Sequence, residues 1–148
     1  MHIPETLNEW KNNGVKYSAG LVIIQDNKIL LAHPTGSPWW GTYSIPKGEM
    51  DKGEKPLETA IRETKEETGI KIKEKHIDRS LDGEIEYRDN KGKLYKVVYY
   101  FVAFPKKTIE RKDIKPQLKE VDWAGLVSKN EAQKRIFGRF KPLLKLLK

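Results

Sequence analysis

Residues 48–70 read GEMDKGEKPLETAIRETKEETGI, and the fold turns on how this stretch is read. Pro56 suits a first helical position and Gly69 a left-handed C-terminal cap, so a helix is predicted over about 56–68. Lys55 then falls at the N-cap, where it is a weak capping residue. At roughly 100° per residue, Leu57, Ala60, Ile61, Thr64 and Thr68 share one side, the apolar stripe of a core-facing helix. Glu63, Glu66 and Glu67 crowd beside that stripe at spacings of three and four. Like charges so placed repel by a few tenths of a kcal/mol per pair. A divalent cation with hard oxygen ligands would offset the repulsion, and an ordinary solvated acidic face is the alternative.

Upstream, YSAGLVIIQDNKILLAH (17–33) places two apolar runs around Asp26-Asn27-Lys28 and predicts a β-hairpin. PTGSPWWG (34–41) reads as a loop, Thr42–Ile45 as a short strand, and Pro46-Lys47-Gly48 as a turn. Lys47 in that turn is placed to meet a phosphate; a solvated loop lysine is the plain reading. Downstream, patches of strand over 70–88 end at a turn, Asp89-Asn90-Lys91-Gly92. LYKVVYYFVAF (94–104) is apolar on both alternating faces apart from Lys96, so its sheet needs a layer on each side. A charged loop at about 105–117 precedes a strand predicted over Glu120–Trp123. Ser128 with Glu131 is a capping-box signature, and FGRFKPLLKLLK predicts a terminal amphipathic helix packed on the sheet. A short helix is predicted around Pro4–Trp10, within an N-terminal extension of residues 1–16.

Composition narrows the class. Hydrophobic residues make up 37% and charged residues 34%, with four Trp, six Tyr and four Phe, as expected of a packed single domain over residues 1–148. The absence of cysteine excludes disulfides and thiolate metal sites. His2, His33 and His76 share no ligand spacing. The opening MHIPETLNEW does not read as a leader, and no segment approaches the roughly 18 apolar residues of a membrane span, so a soluble, cytoplasmic chain is expected. The net charge of +8, from 29 Lys and Arg against 21 Asp and Glu, favours anionic ligands such as nucleotides, polyphosphates or RNA, although the lysines are scattered along the chain.

The order Gly48, Glu54, Arg62-Glu63, Glu66-Glu67, Gly69-Ile70 resembles the Nudix box, the signature of the Nudix hydrolases, with Thr64 where an aliphatic residue is usual. The resemblance implies an α+β fold, an α-β-α sandwich with a mixed β-sheet flanked by helices. It also implies hydrolysis of a diphosphate linkage with Mg²⁺ or Mn²⁺. On this reading Glu66 and Glu67 are metal ligands, Glu63 is a ligand or the general base, and the Gly48 carbonyl is a further ligand. Arg62 and Glu54 pair with each other or with Glu63 to orient it. An acidic ligand from beyond the helix is expected before Trp123, where Gln117 stands at the usual spacing and Glu120 is the alternative; a carboxylate of the Glu84–Glu86 segment is another. Clustered carboxylates hold metal only when ionised, so an activity optimum on the alkaline side of neutral is expected.

YSIPKGEMDKGE, with Trp40 upstream, and KVVYYFVAF are similar to the diadenosine polyphosphate hydrolase branch, close to MutT-like enzymes. That similarity implies stacking of a base on aromatic side chains, with Trp39, Trp40, Tyr43, Tyr87 and Tyr95 as candidates, and lysines such as Lys47 on the phosphates. No additional motif marks an ADP-ribose or coenzyme A enzyme. The expected substrate is a diadenosine polyphosphate or a (deoxy)nucleoside triphosphate, with RNA 5′ ends or inositol pyrophosphates as alternatives. A non-catalytic nucleotide sensor is the alternative of another class, but such a protein would be expected to have lost box carboxylates. The partners are then a small nucleotide, with RNA open, no membrane, and a monomer or homodimer.

Overall fold

Two apolar strands meet at Asp26 and Asn27, both at positive φ (51° and 57°), the twist that a two-residue hairpin turn requires. In the computed structural model, which describes residues 14–148, they are β1 (Lys16–Gln25) and β2 (Lys28–Pro34). The helix predicted around Pro4–Trp10 lies outside the described residues, as does His2. The hairpin opens almost at once. β1 pairs with β2 only at Ile24–Ile29 and Gln25–Lys28. Beyond that point β3 (Lys47–Glu49) takes the vacated edge of β1, antiparallel over Ser18–Gly20. The other edge of β1 runs parallel to β5 (Leu94–Ala103), which pairs antiparallel with β4 (Ile77–Arg88). β2 carries β6 (Val121–Ser128) along its whole length, with a bulge between His33 and Pro34. The result is a mixed six-stranded sheet, ordered β4-β5-β1-β2-β6 with β3 beside β1, and splayed where β2 leaves β1.

Both faces of the sheet are covered. Ala19, Leu21, Ile23, Val97, Tyr99 and Phe101 pack with Ala60 of α1 (Pro56–Thr68) in one core. The alternate residues Val22, Ile24, Val98 and Val102 pack in a second core with Ile136, Phe140, Leu143 and Leu144 from the C-terminal segment. The twice-covered α+β sandwich expected from LYKVVYYFVAF is therefore the observed one. No helix among the described residues is long and apolar enough to cross a membrane.

α1 occupies the predicted span, and Gly69 caps it at φ 80°. Its N-terminus is held from inside the helix. Lys55 offers no side-chain cap, and its backbone N–H donates instead to the Glu58 carboxylate at 2.9 Å. α2 (Lys129–Arg135) starts at Ser128, whose hydroxyl accepts from the Glu131 N–H at 3.4 Å.

Four local expectations change. Thr42–Ile45 forms only isolated bridges, Ser44 with Ala32 and Tyr43 with Ile136, because its two sides face different elements. Lys47 lies on a strand rather than in a turn, because β1 offers a free edge there. β6 extends to Ser128, since β2 supplies partners along its full length. The C-terminal helix is a 3₁₀ helix over Gly138–Leu146 with Pro142 inside it; Pro lacks the N–H and crowds the preceding turn of an α-helix.

Candidate active site

The splay between β1 and β2 leaves room for β3, and β3 lays Gly48 directly against α1. A Cβ on Gly48 would overlap the Glu63 carboxylate, so the bare backbone is what lets that side chain lie flat on the strand. From the other side Arg62 holds Glu63, with Nη1 donating to Oε1 at 3.0 Å. The same guanidinium grips Glu54 in a fork, Nε to Oε2 at 2.7 Å and Nη2 to Oε1 at 3.0 Å. It also donates to Glu66 Oε2 at 3.1 Å and to the Glu49 carbonyl at 3.1 Å. Glu54 has further donors in the Thr59 hydroxyl, at 2.6 Å, and the Asp51 N–H, at 3.0 Å. Burial alone would raise the Glu54 pKa, but these hydrogen bonds outweigh it and hold the group below the usual carboxylate range. The hydrogen bonds that Arg62 donates to Glu54 and Glu66 in turn lock it in its charged form.

The three helix carboxylates have different surroundings. Glu66 is half-exposed. Glu63 is nearly covered, and burial followed by the Glu66 and Glu120 charges raises its pKa against the pull of Arg62. Glu67 is buried, with 7% exposure. Burial, then the Glu63 charge, pushes its pKa up to about 8, although Lys47 opposes with both its ammonium and its backbone N–H. Lys47 and Lys96 mirror this. Burial lowers both pKa values, and each lysine faces another cation: Lys96 for Lys47, and Lys16 for Lys96. Two desolvated ammonium groups beside a crowd of carboxylates suit a ligand that carries both metal and phosphate charge.

A pocket of ≈ 160 Å³ is lined by Lys47, Glu67 and Glu120 with Ala32, Pro34, Ser44 and Val121. Glu120 reaches it because the β2–β6 pairing and the bulge at Pro34 deliver the start of β6 there. Gln117 is not among the lining residues; its backbone N–H donates to the Glu67 carbonyl at 3.2 Å. Glu84 and Glu86 lie on β4, where Glu84 acts on Tyr99.

The aromatic candidates separate. Tyr43 is wholly buried, with His33 and Trp123 against its ring and its hydroxyl accepting from Arg135 Nη1 at 2.9 Å. Trp39 is half-exposed and stacks on the buried His33, with ring centroids 3.7 Å apart. Trp40 is 62% exposed beneath the Arg135 guanidinium. Tyr87, expected to stack on a base, is instead buried at the centre of a second cluster: Tyr95 meets it edge-on, Phe137 stacks at 6.2 Å, and Lys96 and Arg139 sit over its ring at 5.1 and 4.7 Å. Sequence reasoning missed Lys96, Phe137 and Arg139 as site residues. Lys96 carried a signal, being the one charge in an otherwise apolar strand. Phe137 and Arg139 carried none.

Among the described residues no three His, Asp or Glu side chains form a ready-made metal cage. The donor set nonetheless suits a hard cation. Glu63 and Glu120 both disfavour ionisation of Glu67, Glu120 does the same to Glu63, their oxygens are hard ligands, and the Gly48 backbone lies against Glu63 with no side chain between.

A family model described as NUDIX domain matches residues 15–146. An ADP-ribose pyrophosphatase of Methanocaldococcus jannaschii is 41% identical over 56 residues, 38% of this chain and 33% of that protein. A bis(5′-nucleosyl)-tetraphosphatase (asymmetrical) of Rattus norvegicus is 39% identical over 75 residues, 51% of this chain and 48% of that protein. The chain thus spans between a third and a half of the length of these curated relatives. The binary complex of a C. elegans Ap4A hydrolase matches the structure with a TM-score of 0.68 at 26% identity, covering 88% of this chain and 93% of that one.

Proposed function

The chain belongs to the NUDIX domain family, and from that premise we propose that it hydrolyses a diphosphate linkage in a nucleoside polyphosphate, with a diadenosine polyphosphate as the preferred substrate. The observation that carries the proposal is the meeting of Glu63, Glu67 and Glu120 with Lys47 and Lys96 at the splay of the sheet. Glu63, Glu66 and Glu67 would hold Mg²⁺ or Mn²⁺, with the Gly48 carbonyl and Glu120 completing the set. Once bound, the ion neutralises phosphate oxygens and acidifies water. Lys47 and Lys96 take the phosphate chain. Arg62 keeps Glu63 and Glu66 in place and is itself held by Glu54. Exposed Phe137 and Tyr95, which flank the buried Tyr87, suit a stacked base. The rat and C. elegans relatives support the choice of substrate by what they are named for.

A panel of diadenosine tetraphosphate, (deoxy)nucleoside triphosphates, ADP-ribose, triphosphorylated RNA and an inositol pyrophosphate, each with Mg²⁺ or Mn²⁺ and with products resolved by chromatography, tests this reading. Cleavage of the diadenosine compound at the highest kcat/KM is expected. A higher kcat/KM on RNA ends or on the inositol compound would overturn the substrate, and no cleavage of any member would overturn the reaction.

A further inference from the structure

The lysines are scattered along the sequence, but the fold gathers several of them at a second place. Lys71, Lys73, Lys107, Lys112 and Lys115, together with His76, line a pocket of ≈ 410 Å³ that shares no residue with the pocket at Glu67. Lys112 pairs with Glu110 at 3.2 Å. The other four lysines have no ion pair among the described residues, and all four are exposed. The one carboxylate in the lining, Asp113, is engaged by the Glu110 N–H at 2.9 Å. Four ammonium groups without an ion pair around one concavity make a positive patch that attracts anions.

The walls are built rather than incidental. Gln25 braces the upper loop from both ends of its amide, Nε2 donating to the Lys107 carbonyl at 2.9 Å and Oε1 accepting from the Ile109 N–H at 2.6 Å. The Lys115 N–H donates to the Thr68 carbonyl at 2.7 Å, which ties the opposite wall to the end of α1. Ile70 and Ile72, both buried, and Ile109 supply an aliphatic floor. The pocket has no Phe, Tyr or Trp side chain in its lining, and its one aromatic ring is the His76 imidazole. Its volume corresponds to roughly a dozen waters, the scale of several linked phosphates rather than of one small ion.

We propose that this pocket is a second, non-catalytic site that binds a phosphate chain through Lys71, Lys73, Lys107 and Lys115. The proposal goes beyond the catalytic reading and does not depend on it. The probe is inorganic tripolyphosphate, titrated calorimetrically into the full chain at low salt with a chelator present, so that metal-dependent binding at Glu67 does not contribute. Binding is expected, and Lys71→Ala/Lys107→Ala/Lys115→Ala is expected to weaken it about tenfold or more. A charge-matched control, Lys28→Ala/Lys91→Ala/Lys141→Ala, is expected to weaken it less than about twofold. Equal losses in the two triple variants, or no binding by the wild type, would overturn the site. Amide chemical-shift mapping on the wild type needs no variant: shifts confined to residues 69–76 and 105–115 support the proposal, and shifts confined to the Lys47–Glu67–Glu120 region contradict it. A single-stranded RNA with a 5′-hydroxyl end separates two sources of the same chemistry. If tripolyphosphate competes it off and the lysine variant loses it, the site takes a nucleic-acid backbone; if only tripolyphosphate binds, it takes a small oligophosphate.

Discussion

Gly48 and Glu63 form a contact with no room for a side chain, and that contact sets where the Glu63 carboxylate lies. Gly48→Ala must push Glu63 out or move β3. The expected result is a fall in kcat of about 10²-fold, from misplacement of the group, with a stability loss of only about 1–3 kcal/mol from overpacking. Steady-state kinetics and a urea melt on the same sample check both. Glu67 gives a prediction with a definite sign. Its folded pKa, raised to about 8 by burial and by Glu63, lies above the value it has in an unfolded chain, so the folded state binds the extra proton more tightly. The corresponding stability is complete below the unfolded pKa and is lost as pH rises through about 8. Metal-free protein should therefore lose on the order of a few kcal/mol between pH 5 and pH 9. Glu67→Gln, which cannot ionise, should lose markedly less over the same range. Parallel, equal losses in the two proteins would contradict this electrostatic picture.

At the scale of the element, α1 was legible because its punctuation is local. Pro56 opens it, Gly69 closes it, and the 3.6-residue spacing of its apolar side needs no knowledge of the rest of the chain. The cap was not legible by the same route. Lys55 is a poor cap, and the structure compensates through Glu58, which accepts the Lys55 N–H. Glu58→Ala should lower stability by about 0.5–1 kcal/mol and leave kcat/KM unchanged, since Glu58 is exposed and makes no contact with the site. Thermal melts with matched kinetics test the two halves separately. β3 shows the opposite case. Lys47 and Gly48, which read as part of a turn, join Glu49 in a strand only because β1 sheds β2 early and leaves an edge to fill, a non-local event with no mark in Pro46-Lys47-Gly48 itself.

Across the whole molecule, the layered architecture could be read from one strand, LYKVVYYFVAF, whose two apolar faces require two covers, and both are present. The site was legible only in part. The helix carboxylates announce themselves by spacing, whereas Glu54 meets Arg62 from the loop before α1, outside the helical period. Glu120 depends on the register of β6 against β2, Lys96 on the parallel pairing of β5 with β1, and Phe137 with Arg139 on a C-terminal segment that folds back over Tyr87. Tyr43 shows the converse: an aromatic beside the box suggests a ligand surface, yet its ring is spent on the core. In the proposed reaction Glu67 is the buried carboxylate of a metal-dependent diphosphate hydrolase. The most direct test is Mg²⁺-dependent turnover of diadenosine tetraphosphate by Glu67→Gln, with circular dichroism confirming the fold. A loss in kcat of about 10²-fold or more with the spectrum unchanged is expected; a variant that folds and turns over within about threefold of the wild type would rule this role out.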